Sequence, residues 1–412
     1  MKYLLSLLLV AALGTQAYAQ LTPEITSWII NTIGTTGYNG IASNIQQVQY
    51  SDDNVYVSAT CIPGYDIGPW PGNPNTPKNQ NFVYKITRHP QANTGTAVET
   101  PLGHIGVWSN GVSIFNAKDA MSYKNANIWH QNAIVVEGSS FDDCLGHPAP
   151  NGEYHHHLNP TCLYDDHDSS KHSPIIGYAF DGFPVYGAYG YAGIDGSGKI
   201  TRMRSSYRMR SITDRSTLPD GTALASGSYG PAISTQYPLG YYIEDFEFIK
   251  GSGDLDEHNG RFCITPDYPE GTYAYFVTLD ETGTASYPYT LGLTYYGLVP
   301  AGNTGPASGH NAISESVTTY STNAVNEYTE TIEYSLFPNP VSQYLSLYVE
   351  PSAHNDITMQ ITDMNGRVLL TKENIQPAVT YPFDLATFAS GNYFITLNDG
   401  ITTTVKKLVI TK

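Results

Sequence analysis

The residues best suited to chemistry in this chain are histidines. The segment Tyr154–Leu158 contains three histidines in a row. If this segment is extended, side chains alternate, so His155 and His157 share one face while His156 points to the other. Two imidazoles on one face of a strand can chelate a single metal ion. His147, eight positions before the pair, is the natural third ligand. The spacing therefore predicts a transition-metal site.

Polar neighbours could complete this site. His130 could supply a fourth nitrogen, and Asp142, Asp143 or Glu153 could supply a carboxylate. The same carboxylates could instead accept hydrogen bonds from the imidazole N–H groups and fix the ring tautomers. Asp181 is a further candidate ligand or general base, or it caps its own turn. Nitrogen and oxygen ligands suit Zn(II), Cu(II), Ni(II) and Fe(II), and copper or zinc is the ion that we expect first.

The sequence leaves other functions open. The histidines could be hydrogen-bonded core residues, and the protein a non-metal binding module for a polysaccharide or another surface protein. Among the 33 Tyr residues, several could then line a sugar platform, although Tyr also suits the half-buried surface of a β-protein. The candidates are Tyr186, Tyr189, Tyr191, Tyr241, Tyr242, Tyr295 and Tyr296. A third possibility is a metal-dependent hydrolase with Asp181 or Glu153 as base.

Other sites have weaker signals. Asp256, Glu257 and Asn259 could bind Ca²⁺, or they could brace the sheet through ion pairs. The sequence has no Gly-x-Ser-x-Gly elbow, no His-Glu-x-x-His, no phosphate-binding loop and no dinucleotide fingerprint. Common hydrolases, zincins and nucleotide-dependent enzymes are therefore disfavoured.

The four cysteines are expected to form two disulfides, since an exported protein meets an oxidising compartment. Cys144 and Cys162 flank the histidine segment, so we expect them to pair and close that loop. Cys61 would then pair with Cys263. Sequence alone leaves the other two pairings open.

The elements that position these residues are expected to be mainly β-strands. The chain of 412 residues is 41% hydrophobic and 14% charged, with 38 Gly and 26 Pro, which favours short strands joined by turns. Short helices are expected only near Thr26–Ile33 and Ala117–Tyr123. Strands are predicted at Asn54–Ala59, Phe82–Ile86, Ala133–Glu137 and Tyr273–Val277.

The net charge and the targeting signals limit which partners the protein can have. A net charge of −17 makes nucleic acid an improbable partner, because that affinity depends on Lys and Arg. The apolar run Leu4–Leu13 followed by Ala17-Tyr18-Ala19 predicts a signal peptide over residues 1–19. This run is too short for a membrane anchor, and no other segment is long and apolar enough, so the mature chain is expected to have no membrane span.

The remaining chain divides by composition. Residues 20–298 show no break and are predicted to form one β-rich domain. Residues 299–332 are dominated by small and polar residues and are predicted to be a flexible linker. Residues 333–412 contain strands of period two separated by turns, which predicts a small antiparallel, immunoglobulin-like β-sandwich.

The carboxy-terminal region resembles the type IX secretion (Por) sorting domain of Bacteroidota. The resemblance rests on Phe337-Pro338-Asn339-Pro340, the Asn365-Gly366 turn, Gly391-Asn392-Tyr393 and a Lys-rich last strand, in that order. It implies that the type IX secretion machinery is a partner and that the protein is secreted or held at the outer cell surface.

The main domain resembles the YHYH family. The matching motifs are Gly146-His147-Pro148, Gly152-x-Tyr154-His155-x-His157 and the stretch Gly177–Gly187. The Tyr-His-Tyr-His of the family reads Tyr154-His155-His156-His157 here, so both family histidines are present and the change falls on the opposite face. The resemblance implies a shared fold and carries no established activity.

Overall fold

The computed structural model describes residues 21–305, 308–321, 332–350, 357–364, 366–399 and 403–412. The expected signal peptide at residues 1–19 lies outside these ranges. The chain divides into two compact units, Met1–Ser321 and Thr322–Lys412. Within the described ranges, no helix combines the length and apolarity that a membrane crossing requires.

The first unit consists mainly of short strands, as its turn-rich composition predicts. The α-helices among its described residues are α1 (Pro23–Thr26) and α2 (Ala133–Glu137). Short 3₁₀ turns lie at Tyr38–Gly40, Tyr123–Asn125, Gly138–Ser140, Ser226–Ser228 and Ile243–Asp245. The strands are β1 (Ile45–Tyr50), β2 (Asn54–Ala59), β3 (Phe82–Thr87), β4 (Val98–Glu99), β5 (His104–Trp108), β6 (Ser113–Phe115), β7 (Lys118–Ser122), β8 (His130–Asn132), β9 (His147–Pro148), β10 (Tyr154–His156), β11 (Ile175–Ala179), β12 (Pro184–Tyr186), β13 (Tyr189–Tyr191), β14 (Ile200–Arg202), β15 (Tyr207–Met209), β16 (Phe246–Phe248), β17 (Gly260–Cys263), β18 (Thr272–Phe276), β19 (Thr294–Tyr295) and β20 (Thr318–Tyr320).

Two sheets enclose the core of this unit. A mixed eight-stranded sheet has the order β17-β18-β12-β11-β5-β6-β10-β9, and an antiparallel four-stranded sheet has the order β20-β1-β2-β3. Val57 and Tyr84 of the small sheet pack in one core with Val107 and Tyr178 of the large sheet. The pairs β4–β19, β7–β8, β13–β14 and β15–β16 form two-stranded ribbons. The mainly β class is confirmed, and strands β9 and β10 place the histidine segment at one edge of the large sheet.

The segment Ala133–Glu137 was predicted to be a strand, and this prediction is wrong because the segment forms α2. Asn132 precedes the helix, and its side-chain oxygen accepts a hydrogen bond from the backbone N–H of Ile134 (3.3 Å). Such an N-cap satisfies a donor that the first helical turn leaves free. The cap outweighs the strand preference of the β-branched residues that follow.

Two predicted helices also differ. The region Ala117–Tyr123 contains strand β7, which pairs with β8 instead of forming a helix. The helix expected near Thr26–Ile33 is only the single turn α1. By contrast, the predicted strands at Asn54–Ala59, Phe82–Ile86 and Tyr273–Val277 correspond to β2, β3 and β18.

Residues within the predicted linker, 299–332, contact strands of the first unit. Strand β20 pairs with β1, and the Asn303 side chain bonds both the N–H and the carbonyl oxygen of Lys85. The Asn311 amide bonds the carbonyl oxygen of Val83 (2.9 Å). These contacts hold residues 299–305 and 308–321 to the first unit, and residues 322–331 lie outside the described ranges.

The described part of the second unit forms two antiparallel sheets. The sheets have the orders β21-β22-β25 and β24-β23-β26-β27 when its strands continue the same numbering. Leu347, Ile361 and Ile395, from different strands, share one core, which fits the predicted sandwich; its immunoglobulin-like detail stays a prediction. The strands are β21 (Tyr334–Phe337), β22 (Tyr344–Val349), β23 (Ile357–Thr362), β24 (Val368–Ile375), β25 (Thr380–Asp384), β26 (Gly391–Asn398) and β27 (Thr403–Ile410).

Candidate metal centre

Strand pairing brings the three predicted histidine ligands together. Strands β9 and β10 are antiparallel, and their register places His147 directly opposite His155. His157 follows the end of β10 and keeps the face of His155, as an extended backbone requires. The disulfide between Cys144 and Cys162 brackets the three residues, with Cα atoms 5.2 Å apart. The predicted pairing of these two cysteines is confirmed.

The ring nitrogens converge on one point. His147 Nε2 and His157 Nε2 each lie 3.1 Å from His155 Nε2. The potential ligand atoms of all three residues lie within 4.8 Å of one another. Two nitrogens that bind the same Zn²⁺ at about 2.1 Å with tetrahedral angles are roughly 3.4 Å apart. The observed separations are therefore close to those of a metal-bound set.

Backbone carbonyls fix the tautomers of two rings. His155 Nδ1–H donates to the carbonyl oxygen of Glu153 (3.1 Å), and His157 Nδ1–H donates to that of Asn116 (2.6 Å). A carbonyl oxygen can only accept, so the proton of each neutral ring is on Nδ1. The Nε2 lone pairs of both rings therefore face the centre of the cluster.

The third ring has the same orientation. The Ser140 hydroxyl donates to the carbonyl oxygen of Glu137 (2.8 Å), which leaves its oxygen to accept from His147 Nδ1–H (2.8 Å). Burial, followed by the neighbouring His157, lowers the pKa of His147 to about 4. Burial and the other two rings hold the pKa of His155 well below its ordinary value. Both rings are neutral at pH 7, so their lone pairs repel one another unless a cation lies between them.

Glu137, at the end of α2, aims a carboxylate at the same point. Its Oε2 lies 3.2 Å from His157 Nε2 and 3.5 Å from His147 Nε2. Among the described residues this buried oxygen has no hydrogen-bond donor, because the facing nitrogens carry no proton. The site thus presents three nitrogens and one carboxylate oxygen, all of them electron-pair donors.

A cavity of about 480 Å³ lies in front of this donor set. Phe115 stacks on the ring of His155 with centroids 3.8 Å apart, and Phe141 meets His147 edge to face at 4.9 Å. Asp119 lines the same cavity, and burial followed by the charge of Glu137 raises the pKa of Asp119. The cavity therefore combines apolar walls with two neighbouring carboxyl groups, Asp119 and Glu137, which can serve a cation.

His130 does not reach the cluster, which corrects the prediction of a fourth nitrogen ligand. Its Nδ1 lies 2.6 Å from Glu244 Oε1, and its Nε2 lies 2.9 Å from Asn127 Oδ1. Strand β8 carries His130 and pairs with β7, outside the large sheet that holds the other three residues. Both nitrogens of His130 serve this separate network.

Two of the expected carboxylates organise or flank the histidine loop without facing its centre. Asp142 accepts hydrogen bonds from Tyr154 Oη (2.9 Å), Trp70 Nε1 (3.0 Å) and the backbone N–H of Gly146 (3.1 Å). The side chain of Asp143 is exposed. Asp142 therefore shapes the loop that carries His147.

The two expected bases lie elsewhere. Glu153 holds His155 through its backbone carbonyl, but its carboxylate turns away and contacts His104 (2.8 Å). Asp181 is fully buried and accepts hydrogen bonds from Tyr275 Oη (2.6 Å) and the N–H of Gly297 (2.9 Å). Neither carboxylate faces the donor set, so the geometry gives the hydrolase alternative neither of its expected bases.

The predicted Cys61–Cys263 disulfide is wrong, since both residues are free and buried. Cys61 Sγ donates to the carbonyl oxygen of Tyr154 (3.1 Å), beside strand β10. Cys263 lies on β17, which is the opposite edge strand of the large sheet. A disulfide requires Cα atoms within about 7 Å, and the width of the sheet separates these two residues.

The remaining polar candidates have structural contacts. Asp256 accepts from Tyr273 Oη (2.8 Å), and the Asn259 amide bonds the backbone carbonyl of Thr290 (2.6 Å). These bonds brace the sheet and agree with the non-calcium interpretation. Tyr186, Tyr242 and Tyr295, which were candidates for a sugar platform, are buried.

Sequence patterns did not indicate Glu137, Ser140 or the Asn116 carbonyl as parts of the site. Because Ala133–Glu137 was predicted to be a strand, the contact between Glu137 and the histidines was not predicted. The Asn132 cap before a run that ends in Glu and Gly is the one local signal for the helix. Any residue type can supply a backbone oxygen, so the sequence does not reveal contacts of this kind.

Two family models match the chain. One, described as YHYH protein, matches residues 83–288, and the other, described as Secretion system C-terminal sorting domain, matches residues 335–411. Both agree with the resemblances seen in the sequence motifs. No curated protein is significantly similar to the chain.

Proposed function

The chain belongs to the YHYH protein family and, as its sorting domain shows, is a secreted or cell-surface protein handled by the type IX system; from this premise we propose that its main domain binds a transition-metal ion. His147, His155 and His157 are the proposed ligands. The observation that carries the proposal is the convergence of their three Nε2 lone pairs. The Nε2 atoms of His147 and His157 each lie 3.1 Å from that of His155.

Glu137 supplies the proposed fourth contact. Its Oε2 is 3.2 Å from His157 Nε2, and neither atom carries a proton to share. Removing a carboxylate oxygen and three imidazoles from water without a partner is unfavourable. A cation at their centre removes this penalty, either with Glu137 as a direct ligand or with Glu137 accepting a hydrogen bond from a bound water.

Copper or zinc is the metal that we propose. Imidazole nitrogens suit both ions, and the affinity of such a set is expected to be higher for Cu²⁺ than for Zn²⁺. The three histidines lie in one loop that a disulfide closes, so little ordering is needed on binding. Capture or storage of the ion outside the cell is the role that these features support best.

Metal content tests the proposal. The mature protein, purified without a His tag or metal-affinity resin, is loaded with Cu²⁺ or Zn²⁺, desalted and measured by elemental analysis. We expect about one ion per chain in the wild type, loss of the ion in His155→Ala/His157→Ala, and at least about tenfold weaker binding in Glu137→Gln. The double variant His89→Ala/His167→Ala, which removes two exposed imidazoles, is the matched control.

The proposal fails if the wild type takes up no ion, or if His155→Ala/His157→Ala binds as much metal as the control. Circular dichroism of each variant shows whether the fold is intact. If a variant loses both metal and fold, the metal-loaded wild type decides the question. Its X-ray absorption spectrum must then show scattering from imidazole ligands.

A further inference from the structure

A second cluster of reactive side chains lies outside the proposed metal centre. His104 Nδ1 is 2.8 Å from Glu153 Oε1, and His104 Nε2 is 2.8 Å from Ser308 Oγ. A hydroxyl, an imidazole and a carboxylate in this order are the arrangement that activates a serine as a nucleophile. The three residues are distant in sequence and are brought together only by the fold.

The imidazole is held in the orientation that such a relay requires. The His104 ring is enclosed edge to face by Phe82, Tyr84 and Phe180, with centroid distances of 5.2, 5.7 and 5.7 Å. A carboxylate can only accept, so Glu153 takes a hydrogen bond from Nδ1–H. The neutral ring therefore directs its Nε2 lone pair at the hydroxyl of Ser308.

Hydrogen bonds also hold the Glu153 carboxylate in place. Glu153 Oε1 also accepts from the Ser113 hydroxyl (2.5 Å), and Oε2 lies 3.4 Å from the Asn151 amide. Glu153 is only 4% exposed, which protects its contact with His104 from solvent. It acts as a positioning residue, because it lies behind the imidazole and not beside the serine.

The serine faces open space. Ser308, His104 and Glu153 line a cavity of about 580 Å³, whose wall also includes Phe82 and Leu102. The Ser308 hydroxyl lies near three acceptors: His104 Nε2, the Gly305 carbonyl (2.6 Å) and the Asn303 carbonyl. One hydroxyl proton serves one acceptor at a time, and rotation towards the ring makes Ser308 Oγ available for attack.

We propose that this cavity is a serine esterase site for small uncharged carboxylic esters, distinct from the metal centre. Ser308 Oγ attacks the carbonyl carbon while His104 Nε2 takes the hydroxyl proton. The ester C–O bond breaks, and the leaving alcohol takes that proton from His104. Water then attacks the acyl-serine with His104 as base, which releases the carboxylic acid and restores Ser308. The apolar wall formed by Phe82 and Leu102 suits a short acyl group.

Covalent labelling of the unmodified mature protein tests this proposal directly. A fluorophosphonate reacts with an activated serine, and peptide mapping by mass spectrometry locates the adduct. We expect the adduct on Ser308. Chelator is present throughout, so a failure of the proposed metal site leaves the result unchanged and a failure here leaves the metal site standing.

Hydrolysis of p-nitrophenyl acetate provides the second readout. We expect Ser308→Ala to lower kcat/KM at least about 100-fold, while Ser314→Ala, which removes an exposed hydroxyl from the same segment, leaves it unchanged. Labelling of other serines only, absence of any adduct, or equal hydrolysis by Ser308→Ala and Ser314→Ala overturns the proposal. The labelling arm decides the matter even if Ser308→Ala does not fold.

Discussion

The proposed metal site depends on two kinds of residue. The His155 and His157 rings are fixed by backbone carbonyls of Glu153 and Asn116, so the side chains at those two positions are not what orients the rings. Glu137, in contrast, approaches through its own carboxylate. Substitution of its side chain therefore changes the charge of the site directly.

Asp181 makes the stability of the first unit depend on pH. Burial raises the pKa of this carboxyl to about 6, although the hydrogen bond from Tyr275 and three backbone N–H bonds act to lower it. In the unfolded chain the pKa is about 3.9. The folded state therefore binds a proton more tightly, and this contribution to stability is complete below pH 4 and is lost as the pH rises through about 6.

We expect Asp181→Asn to remove this dependence. Between pH 4.5 and 7, the free energy of unfolding of the wild type should fall relative to that of the variant, by about 2 kcal/mol. Urea unfolding followed by tryptophan fluorescence at steps of pH measures the difference. Parallel curves for the two proteins across this range would contradict the assignment.

The histidine ligands were predictable from sequence, whereas their partners were not. Strand alternation is a local property, so the residue order alone places His155 and His157 on one face. The approach of Glu137 depends on where a helix packs, and the contact between His104 and Ser308 joins two distant parts of the chain. Contacts of this kind follow from the topology of the whole unit, and no periodic pattern in the sequence indicates them.

At the level of elements, the antiparallel pair β9–β10 and the disulfide across it form one unit. The bridge closes 18 residues, and the loop includes all three proposed ligands. Closing a loop of this size stabilises a protein by roughly 3 kcal/mol in the chain-entropy model. The bridge therefore restricts the loop before a metal arrives.

We expect Cys144→Ala/Cys162→Ala to lower the thermal stability and to weaken metal binding by about tenfold, because the loop must then be ordered on binding. Isothermal titration with Zn²⁺ measures the affinity. Cys263→Ala, which removes a buried thiol on the opposite edge strand, is the control. Equal affinities of the wild type and the double variant would show that the bridge plays no part in the site.

Sequence predicted elements best where one local signal dominated. Strand β2 was correct because its run of β-branched and aromatic residues is bounded by turn residues. Segment Ala133–Glu137 was wrong because a single capping residue outweighed its β-branched composition. Asn303 and Asn311 lie in the predicted linker and look like loop residues, yet they bond backbone atoms of strand β3 that lie far away in sequence.

At the level of the whole molecule, the first unit extends to residue 321 and contains both proposed sites. A chain that ends at Leu298 lacks β20 and the two Asn303 bonds to Lys85. It also lacks Ser308. A chain that ends at Ser321 keeps all of these contacts.

We expect the chain that ends at Ser321 to bind metal like the full-length protein. The chain that ends at Leu298 should melt at least about 5 °C lower, since it exposes an edge of β1 and leaves polar groups of β3 without partners. Differential scanning calorimetry of both chains in chelator gives the comparison. Identical melting temperatures would mean that residues 299–321 add nothing to the stability of the unit.

The pairing of β1 with β20 has a consequence for biogenesis. These strands come from opposite ends of the first unit, so the contact between them has a very high contact order. Whichever end leads during translocation, the small sheet stays incomplete until both ends are on the same side of the membrane. A chain stalled midway therefore has an unpaired strand edge in the small sheet, because β1 and β20 complete that edge only together.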